Sequence, residues 1–534
     1  MTDRPHRPTR RAVLAGAGLG LLASAPLGIG PASAAKKKTR SAKPAEPEVD
    51  GTLLPIPRLV DLVDGETFDL VAEAATHAFL KDKPVAVVGY GGGYMGPALR
   101  LKRGTKPKVR LTNRLARPTN VHWHGLLVAG RSDGGTHPGV APGATWETEL
   151  AVDQPAATLW YHAHVHGRTA QDVHDGLCGL MLIEDETSAG LGLPSAWGVD
   201  DIPLVLQDRT FDAAGRPVRA PTPTTVEHGL LGATMIVNGV ADAVARVPAR
   251  LVRLRLLNAT GARNFRLFFE DQRSFRLIAT DAGLVAEPIE LTRLVLAPGE
   301  RAEILVDFAE GAATLFTAPD PHEHRAGAQT TLLPDVVDAP VKVVAFEPVK
   351  DERPSAVVPA TLAELPAPPR STSGLKRRRF ELRVRPNPAM VAQVGAHDHH
   401  AMSHGSTTNG QIALDGGMTA SSEPPVLLTI NGKPFAMGRI DEKVPLGATE
   451  VWEIVSPDMS HPFHVHGAHF RVLSEDGDKP KSWNRGLKDT VLVENSAEIL
   501  VTFTRPAGSD APFLYHCHLL EHEDGGMMGA FTVE

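Results

Sequence analysis

Cysteine is scarce in this chain, with only Cys178 and Cys517 among 534 residues. Two thiols are too few for the disulfide framework of many exported proteins, and also too few for an iron–sulfur cluster. A single disulfide between them stays open. Cys178 lies in the apolar run GLCGLMLIED, which favours a small buried residue.

An excess of charge of one sign and long apolar runs are also lacking. Lys and Arg number 55 against 62 acidic residues, a net charge of −7 without a basic stripe, so nucleic acid is excluded as a partner. After the first 35 residues, no segment approaches the eighteen apolar residues of a membrane span. We therefore expect a mature protein without an integral membrane span.

Long amphipathic helical runs are few, whereas the chain has 50 glycines and 44 prolines. Short β-branched runs broken by turn residues recur, as in KVRLTN, RLVRLRLLN and AEILVTF. These features predict an all-β protein built of sandwiches. The length suggests about three domains.

Residues 1–34 have the pattern of a twin-arginine signal peptide. Arg10 and Arg11 precede an apolar stretch from Ala12 to about Ile29, and Ala32-Ser33-Ala34 has the small-x-small form of a cleavage site. An uncleaved N-terminal anchor is the alternative. The signal predicts export to the periplasm, the cell surface or the medium.

Two blocks of sequence recur three times along the chain. The first is a strand, a polar turn and a strand, at Lys108–Gly125, Arg250–Phe269 and Ala448–Gly467. The second block lies downstream of each copy of the first and consists of two stretches in succession. These are APGATWETELAV then LWYHAHVHG, LAPGERAEILVDF then ATLFTAP, and NSAEILVTFTRP then FLYHCHLLEH. Three copies of one sandwich are predicted, at residues 53–186, 200–345 and 375–534.

Histidines of the first and third copies come in His-x-His pairs. Residues i and i+2 of a strand point to one face, so each pair presents two imidazoles side by side. The pairs are His122/His124, His162/His164, His464/His466 and His516/His518. Eight imidazoles suit three metal ions with three, three and two ligands. The middle copy lacks such pairs, which predicts a spacer without metal.

Cys517 lies between His516 and His518 and must therefore point to the opposite face of the strand. With His522 and Met527 it forms the pattern Cys-x4-His-x4-Met, and His461 is the simplest second imidazole. A thiolate, two imidazoles and a weak thioether are the ligands of a blue-copper centre. Spacing favours Met527 over Met528 as the axial ligand.

The first copy has Ala163 where the third has Cys517, so it keeps the paired imidazoles and lacks the thiolate. The count is then four coppers, one mononuclear centre and one three-copper cluster. Four one-electron centres match the four electrons that reduce O2 to two waters. Cys517 and its two neighbours would give a short covalent path between the sites.

The stretches HWHG, WYHAHVHG, HPFHVHG and HCHLLEHEDGGMM resemble the four copper signatures of the multicopper oxidases, from about Leu53 to the end of the chain. The likeness is greatest to the bacterial three-domain branch with cuprous oxidases, laccases and bilirubin oxidases. It implies three cupredoxin-like Greek-key domains. It also implies a type 1 copper on His461, Cys517, His522 and Met527 and a type 2 copper on His122 and His464. It further implies a type 3 pair, with one copper on His124, His162 and His518 and the other on His164, His466 and His516.

Reduction of O2 also consumes four protons. Asp133, in RSDGG, and Glu523, beside His522, match acidic positions that the family uses for proton delivery. The alternatives are a turn residue before two glycines for Asp133 and a solvated surface acid for Glu523.

The sequence predicts an oxidase that takes electrons from Cu(I) or phenols and passes them to O2, active as a monomer. The polar insertion at residues 389–418 holds four histidines and three methionines and resembles the copper-binding insertion of cuprous oxidases, although its methionines are few. A solvated loop is the other interpretation. A copper buffer or electron carrier and a copper nitrite reductase are the alternative functions. Eight imidazoles argue against the reductase, since one type 2 copper would not need them.

Overall fold

The computed structural model describes residues 51–135, 139–220, 223–320, 339–387 and 426–534. The predicted signal peptide and the insertion at 389–418 lie outside these residues. Strands dominate the described part, as short alternating apolar runs between glycines and prolines require. None of its helices is long and apolar enough to cross a membrane.

The first sandwich places two sheets face to face. One sheet has the order β2-β5-β10-β9-β7 and the other β4-β3-β6-β8. Their strands are β2 (Leu59–Asp61), β3 (Thr67–Leu80), β4 (Lys83–Tyr90), β5 (Ala98–Lys102), β6 (Lys108–Asn113), β7 (His122–His124), β8 (Thr145–Glu149), β9 (Ala157–His162) and β10 (Cys178–Glu184). Leu99, Leu111, Trp123 and Tyr161 are fully buried between them.

The second sandwich pairs the sheet β1-β15-β23-β22-β17-β20 with the sheet β14-β13-β11-β16-β21-β18-β19. The short strand β12 pairs with β11 outside this order. Its strands are β1 (Thr52–Leu53), β11 (Asp201–Phe211), β12 (Pro217–Val218), β13 (Thr234–Val237), β14 (Val240–Ala241), β15 (Ala243–Pro248), β16 (Leu251–Asn258), β17 (Phe265–Phe269), β18 (Phe275–Thr280), β19 (Gly283–Leu291), β20 (Leu294–Leu296), β21 (Arg301–Asp307), β22 (Ala313–Thr317) and β23 (Val341–Val349).

The third sandwich pairs the sheet β25-β24-β27-β32-β29-β30 with the sheet β26-β34-β33-β28-β31. Its strands are β24 (Lys376–Pro386), β25 (Val426–Ile430), β26 (Glu442–Val444), β27 (Thr449–Val455), β28 (His461–Val465), β29 (His469–Glu475), β30 (Leu487–Lys488), β31 (Thr490–Val493), β32 (Ser496–Thr502), β33 (Phe513–Cys517) and β34 (Met528–Val533). The all-β prediction of three cupredoxin-like sandwiches is confirmed.

Short helices connect the strands. They are α1 (Gly130–Asp133), α2 (Thr169–Asp175), α3 (Glu186–Gly190), α4 (Pro223–His228) and α5 (Leu520–Asp524), with 3-10 turns at Phe308–Glu310 and Ser482–Asn484. Gly134 caps the end of helix α1, and its φ of 76° suits glycine. Helices α2 and α5 join the first sandwich to the third, because Asp524 accepts hydrogen bonds from the backbone N–H groups of Thr169 and Ala170 at 2.8 and 3.0 Å.

Candidate metal centre

Strand register brings the His-x-His pairs side by side within each sandwich. In the first, β7 runs antiparallel to β9 and His122 lies opposite His162. In the third, β28 runs antiparallel to β33 and His464 lies opposite His516. The equivalent pairing in two sandwiches creates two imidazole-bearing faces.

These two faces meet at the contact between the first and third sandwiches. The rings of His124 and His464 stack with centroids 3.7 Å apart, and those of His122 and His466 stack at 3.9 Å. The rings of His164 and His516 meet edge to face at 5.1 Å. All eight imidazoles of the four pairs are buried. The structure thus gathers residues from opposite ends of the described chain into one cluster.

Three imidazoles of the cluster converge through their Nε2 atoms. The Nε2 atom of His516 lies 3.3 Å from that of His164 and 3.2 Å from that of His466. Their Nδ1 atoms face outward: that of His466 donates to a carboxylate oxygen of Asp133 at 2.8 Å, and that of His516 donates to the carbonyl of Cys517 at 3.0 Å. Metal-binding histidines in proteins are oriented in this way.

Three further imidazoles donate from Nδ1 to backbone carbonyls. His122 donates to Asp133 at 3.0 Å, His162 to Ala163 at 2.9 Å and His464 to Asp489 at 2.8 Å. Their Nε2 atoms are buried and have no hydrogen-bond partner within the described residues. A buried nitrogen without a partner is costly, and a metal ion would satisfy it.

His124 and His518 complete the cluster. Nε2 of His124 donates to Asp489 at 3.1 Å, which leaves its Nδ1 without a partner among the described atoms. Neither ring nitrogen of His518 has one there. Its ring centroid lies 5.1 Å from that of His124 and 5.7 Å from that of His162.

Burial lowers the pKa of seven of these imidazoles, which favours the neutral form that metal ligation requires. It lowers the pKa of His466 to about 4 and that of His518 to about 3. It also lowers the pKa values of His124, His162, His164, His464 and His516. The chemistry of the donors therefore fits metal ions.

The second group of possible ligands lies inside the third sandwich. Ligand atoms of His461, Cys517 and His522 lie within 4.8 Å of one another. Nδ1 of His522 is 3.7 Å from Sγ of Cys517, while its Nε2 donates to the carbonyl of Glu227 in α4 at 2.9 Å. Ser456 Oγ lies 2.5 Å from Nδ1 of His461. The group is fully buried.

Cys517 points into the apolar core of the third sandwich, on the side of its strand away from the imidazole cluster. Burial raises the pKa of its thiol, and the N–H of Leu519, 3.3 Å from Sγ, opposes that shift. Met527 is buried in the same core, and its backbone bonds to Cys517 and His522 at 3.1 and 2.8 Å. Both cysteines are free, so the disulfide that the sequence left open does not form.

Asp133 ends α1 and is buried, although it also precedes two glycines as a turn residue would. One carboxylate oxygen contacts Nδ1 of His466 at 2.8 Å and Nδ1 of His122 at 3.3 Å. Burial by itself raises the pKa of this carboxyl, but His122 and His466 outweigh burial and lower it below its usual range. The side chain therefore joins the two imidazole-bearing faces.

Glu523 is buried and is not the solvated surface acid considered as an alternative. Its carboxylate lies 3.5 Å from Nδ1 of His164 and 3.4 Å from Nδ1 of His516. Burial raises the pKa of this carboxyl, and the neighbouring charge of Asp524 adds to the shift. Glu523 thus contacts two of the three converging imidazoles, and Asp133 contacts the third, His466.

Sequence reasoning missed Asp489. One of its carboxylate oxygens lies within 4.8 Å of a ring nitrogen of His124 and of His464, close enough for the three to hold one metal ion. It lies between β30 and β31 in the run GLKDTVLV, where Lys488 and Asp489 are fully buried in an apolar stretch. Two adjacent charges in an otherwise apolar run are the signal that was available, because buried charges need specific partners.

Comparison with known proteins identifies the family of this chain. Models described as multicopper oxidase match residues 72–188, 205–331 and 399–534. The structure of a laccase-like multicopper oxidase, CueO, from Ochrobactrum sp. is 37% identical, with a TM-score of 0.77 over 90% of this chain and all of that one. The McoA multicopper oxidase of Aquifex aeolicus is 28% identical, with a TM-score of 0.75 over 91% of this chain and all of that one.

Curated relatives carry a different name. The cell division protein FtsP of Xenorhabdus nematophila is 34% identical over 90% of this chain and 92% of its own length. FtsP of Rahnella sp. is 34% identical over 92% of this chain and 95% of its own length. Three family models together match more than half of the chain, and two of them cover the segments that carry the candidate ligands. The chain therefore belongs to the multicopper oxidase family, which implies copper binding.

Proposed function

We propose that this protein is an oxidase that couples one-electron oxidation of a small reducing substrate, Cu(I) or a phenol, to the four-electron reduction of O2 to water. Eight buried imidazoles that meet between the two outer sandwiches carry the proposal, and six of them have a ring nitrogen without a partner within the described chain. Four bound coppers would supply four one-electron redox steps.

The sorting of the ligands follows the family resemblance and remains a proposal. His461, Cys517, His522 and Met527 would hold a type 1 copper, and His122 and His464 a type 2 copper. His124, His162 and His518 would hold one ion of a type 3 pair and His164, His466 and His516 the other. Convergence of the last three Nε2 atoms within about 3.3 Å supports that trio.

Cys517 connects the two sites through the chain itself. Its side chain lies beside His522, and its neighbours His516 and His518 belong to the cluster. The bond from His516 Nδ1 to the carbonyl of Cys517 adds a second contact at 3.0 Å. Electrons that enter at the Cys517 site would thus reach the cluster through the covalent bonds from Cys517 to His516 and His518.

Asp133 and Glu523 would handle the four protons that accompany four electrons. Each contacts Nδ1 atoms of two cluster imidazoles. Because burial raises the pKa of Glu523, this carboxyl can hold a proton where an exposed glutamate cannot. Asp133, whose pKa is lowered by His122 and His466, fixes those rings as an ionised hydrogen-bond acceptor and is the second proposed proton carrier.

Oxygen consumption by copper-loaded protein tests the proposal. With an electron donor, the wild type is expected to consume one O2 for every four electrons and to release no peroxide. Cys517→Ser is expected to abolish this uptake, and Cys178→Ser, which changes the other buried cysteine, to preserve it. Copper binding without oxygen uptake by the wild type would instead indicate a buffer or electron carrier.

A role in cell division is a second candidate, favoured by the FtsP relatives at 33–34% identity over about nine tenths of the chain. Expression of the wild type and of Cys517→Ser in a strain that lacks its FtsP separates the two functions. Equal restoration of division by both proteins would show a role that does not need electron transfer.

Three organisational proposals accompany the function. The domains span residues 53–186, 200–345 and 375–534, the first 34 residues direct twin-arginine export to the periplasm or cell surface, and the protein acts as a monomer. Exported protein that begins after Ala34 would support the export signal, and sedimentation as a single chain would support the monomer.

A further inference from the structure

The middle sandwich touches the imidazole cluster although it bears no His-x-His pair. Gly299 lies in the turn before β21 with a φ of 84°, and a Cβ added there would lie 2.9 Å from Cδ2 of His518 and 3.0 Å from its Cγ and Nε2. Only a glycine backbone can lie this close to the imidazole face. Since the ring nitrogens of His518 have no hydrogen-bond partner in the described chain, packing orients this ring.

The turn that carries Gly299 is tied firmly to its own sandwich. The N–H of Gly299 donates to the carbonyl of Asn258 at 2.9 Å, and the N–H of Asn258 donates to the carbonyl of Glu300 at 3.1 Å. The carboxylate of Glu300 accepts from the N–H of Ala297 at 2.6 Å. A turn held in this way can resist displacement of His518.

Arg301, the next residue but one, is fully buried and contacts all three sandwiches. Nε donates to the carbonyl of Thr158 in the first, at 3.1 Å. Nη1 and Nη2 donate to the two carboxylate oxygens of Asp489 in the third, at 2.8 and 2.5 Å. The carbonyls of Gly299 and Asp281 accept the two remaining N–H groups, at 2.8 and 3.0 Å. All five guanidinium donors are therefore used.

Asp489 in turn orients two cluster imidazoles. Its carboxylate accepts from Nε2 of His124 at 3.1 Å, and its backbone carbonyl accepts from Nδ1 of His464 at 2.8 Å. The planar fork of Arg301 matches both carboxylate oxygens, which a lysine cannot do. Loss of this partner would leave a buried carboxylate without its main counter-charge.

We propose that Gly299 and Arg301 of the middle sandwich are positioning residues of the metal cluster: Gly299 sets the ring of His518, and Arg301 sets His124 and His464 through Asp489. The proposal rests on the proposed function only in that the cluster binds copper. The middle sandwich is then a third wall of the site, whereas the sequence predicted a spacer.

Gly299→Ala tests the first contact, with Gly143→Ala as its matched control. Gly143 occupies the same place in the APG turn of the first sandwich with a φ of 76°, and an added Cβ there meets no described atom within 4 Å. Both variants carry the same backbone strain. We expect Gly299→Ala to weaken binding of cluster copper about 10- to 100-fold in a chelator titration, and Gly143→Ala to bind as the wild type does.

Arg301→Lys tests the second contact, with Arg255→Lys as its control. Arg255 is also a buried arginine of the middle sandwich; it pairs with Asp201 and Glu303 and bonds Thr158 across the same contact, without touching Asp489. We expect Arg301→Lys to change the electron paramagnetic resonance spectrum of cluster copper while the blue absorption of the Cys517 site persists. Arg255→Lys is expected to leave both signals unchanged.

Equal copper affinities and spectra in each test variant and its control would overturn the proposal. So would loss of the folded state in both test variants when both controls fold, because the segment would then serve the fold itself. These measurements need no turnover. Failure of the proposed function, seen as wild-type protein that binds copper without consuming O2, is thus a separate outcome.

Discussion

Asp133 accepts a hydrogen bond from Nδ1 of His466 at 2.8 Å, across the contact between the first and third sandwiches. Its backbone carbonyl also accepts from Nδ1 of His122 at 3.0 Å. One residue thus holds an imidazole from each of the two faces that form the cluster. A change at Asp133 is expected to act on the cluster and to leave the Cys517 site unaffected.

Asp133→Asn keeps an oxygen that can accept from His466 and removes the negative charge and the proton acceptor. We expect the reoxidation of fully reduced enzyme by O2 to slow about 100-fold, in line with the loss of an acid–base group. Stopped-flow absorption measures this rate. Reduction of the Cys517 site by substrate is the internal control, and an equal slowing of both steps would contradict the prediction.

Glu523→Gln is expected to change the pH profile of turnover. Burial raises the pKa of this carboxyl, so it keeps its proton to higher pH than an exposed glutamate does and loses it as the pH rises through that raised pKa. Wild-type activity is therefore expected to fall on the basic side, whereas the Glu523→Gln variant should lack that limb and turn over more slowly. Glu521→Gln, a change to a buried acid of the same helix that pairs with Arg219, is the control. It should keep the basic limb and move it only to lower pH, because the charge of Glu521 contributes to the raised pKa of Glu523.

Asp524→Ala is expected to destabilise the contact between α2 and α5. The carboxylate accepts from two N–H groups at the start of α2, and no side chain of α2 caps that end. Loss of such a cap costs about 1–2 kcal/mol, so the melting temperature should fall. Asp510→Ala removes an exposed pair with Arg131 and is expected to change stability by less than about 1 kcal/mol. An equal change in melting temperature for the two variants would show that Asp524 does not stabilise the contact between α2 and α5.

Deletion of residues 395–405 tests the copper-recruiting interpretation of the insertion. If this segment delivers Cu(I), the deletion is expected to lower the rate of Cu(I) oxidation and leave the rate of phenol oxidation unchanged. Oxygen uptake with each donor measures both rates. An unchanged Cu(I) rate would show that the segment is an ordinary loop.

The sequence was most informative for features that depend only on residues close together in the chain. Alternation along a strand is enough to place His516 and His518 on one face and Cys517 on the other, and repeated short apolar runs are enough to predict sandwiches. Glu523 shows the limit, because a glutamate in a short polar run is as compatible with solvent as with burial. Its exposure depends on α2, which belongs to the first sandwich and lies far earlier in the chain.

The sequence by itself determined the inventory of candidate ligands: eight paired imidazoles, one thiolate, two further histidines and an axial methionine, on three copies of an all-β fold. Only the tertiary structure decided how they meet. His124 and Asp489 lie 365 positions apart, and Gly299 meets His518 across two sandwiches. Such contacts depend on how finished sandwiches pack, and no period along the chain encodes the angle or distance between them.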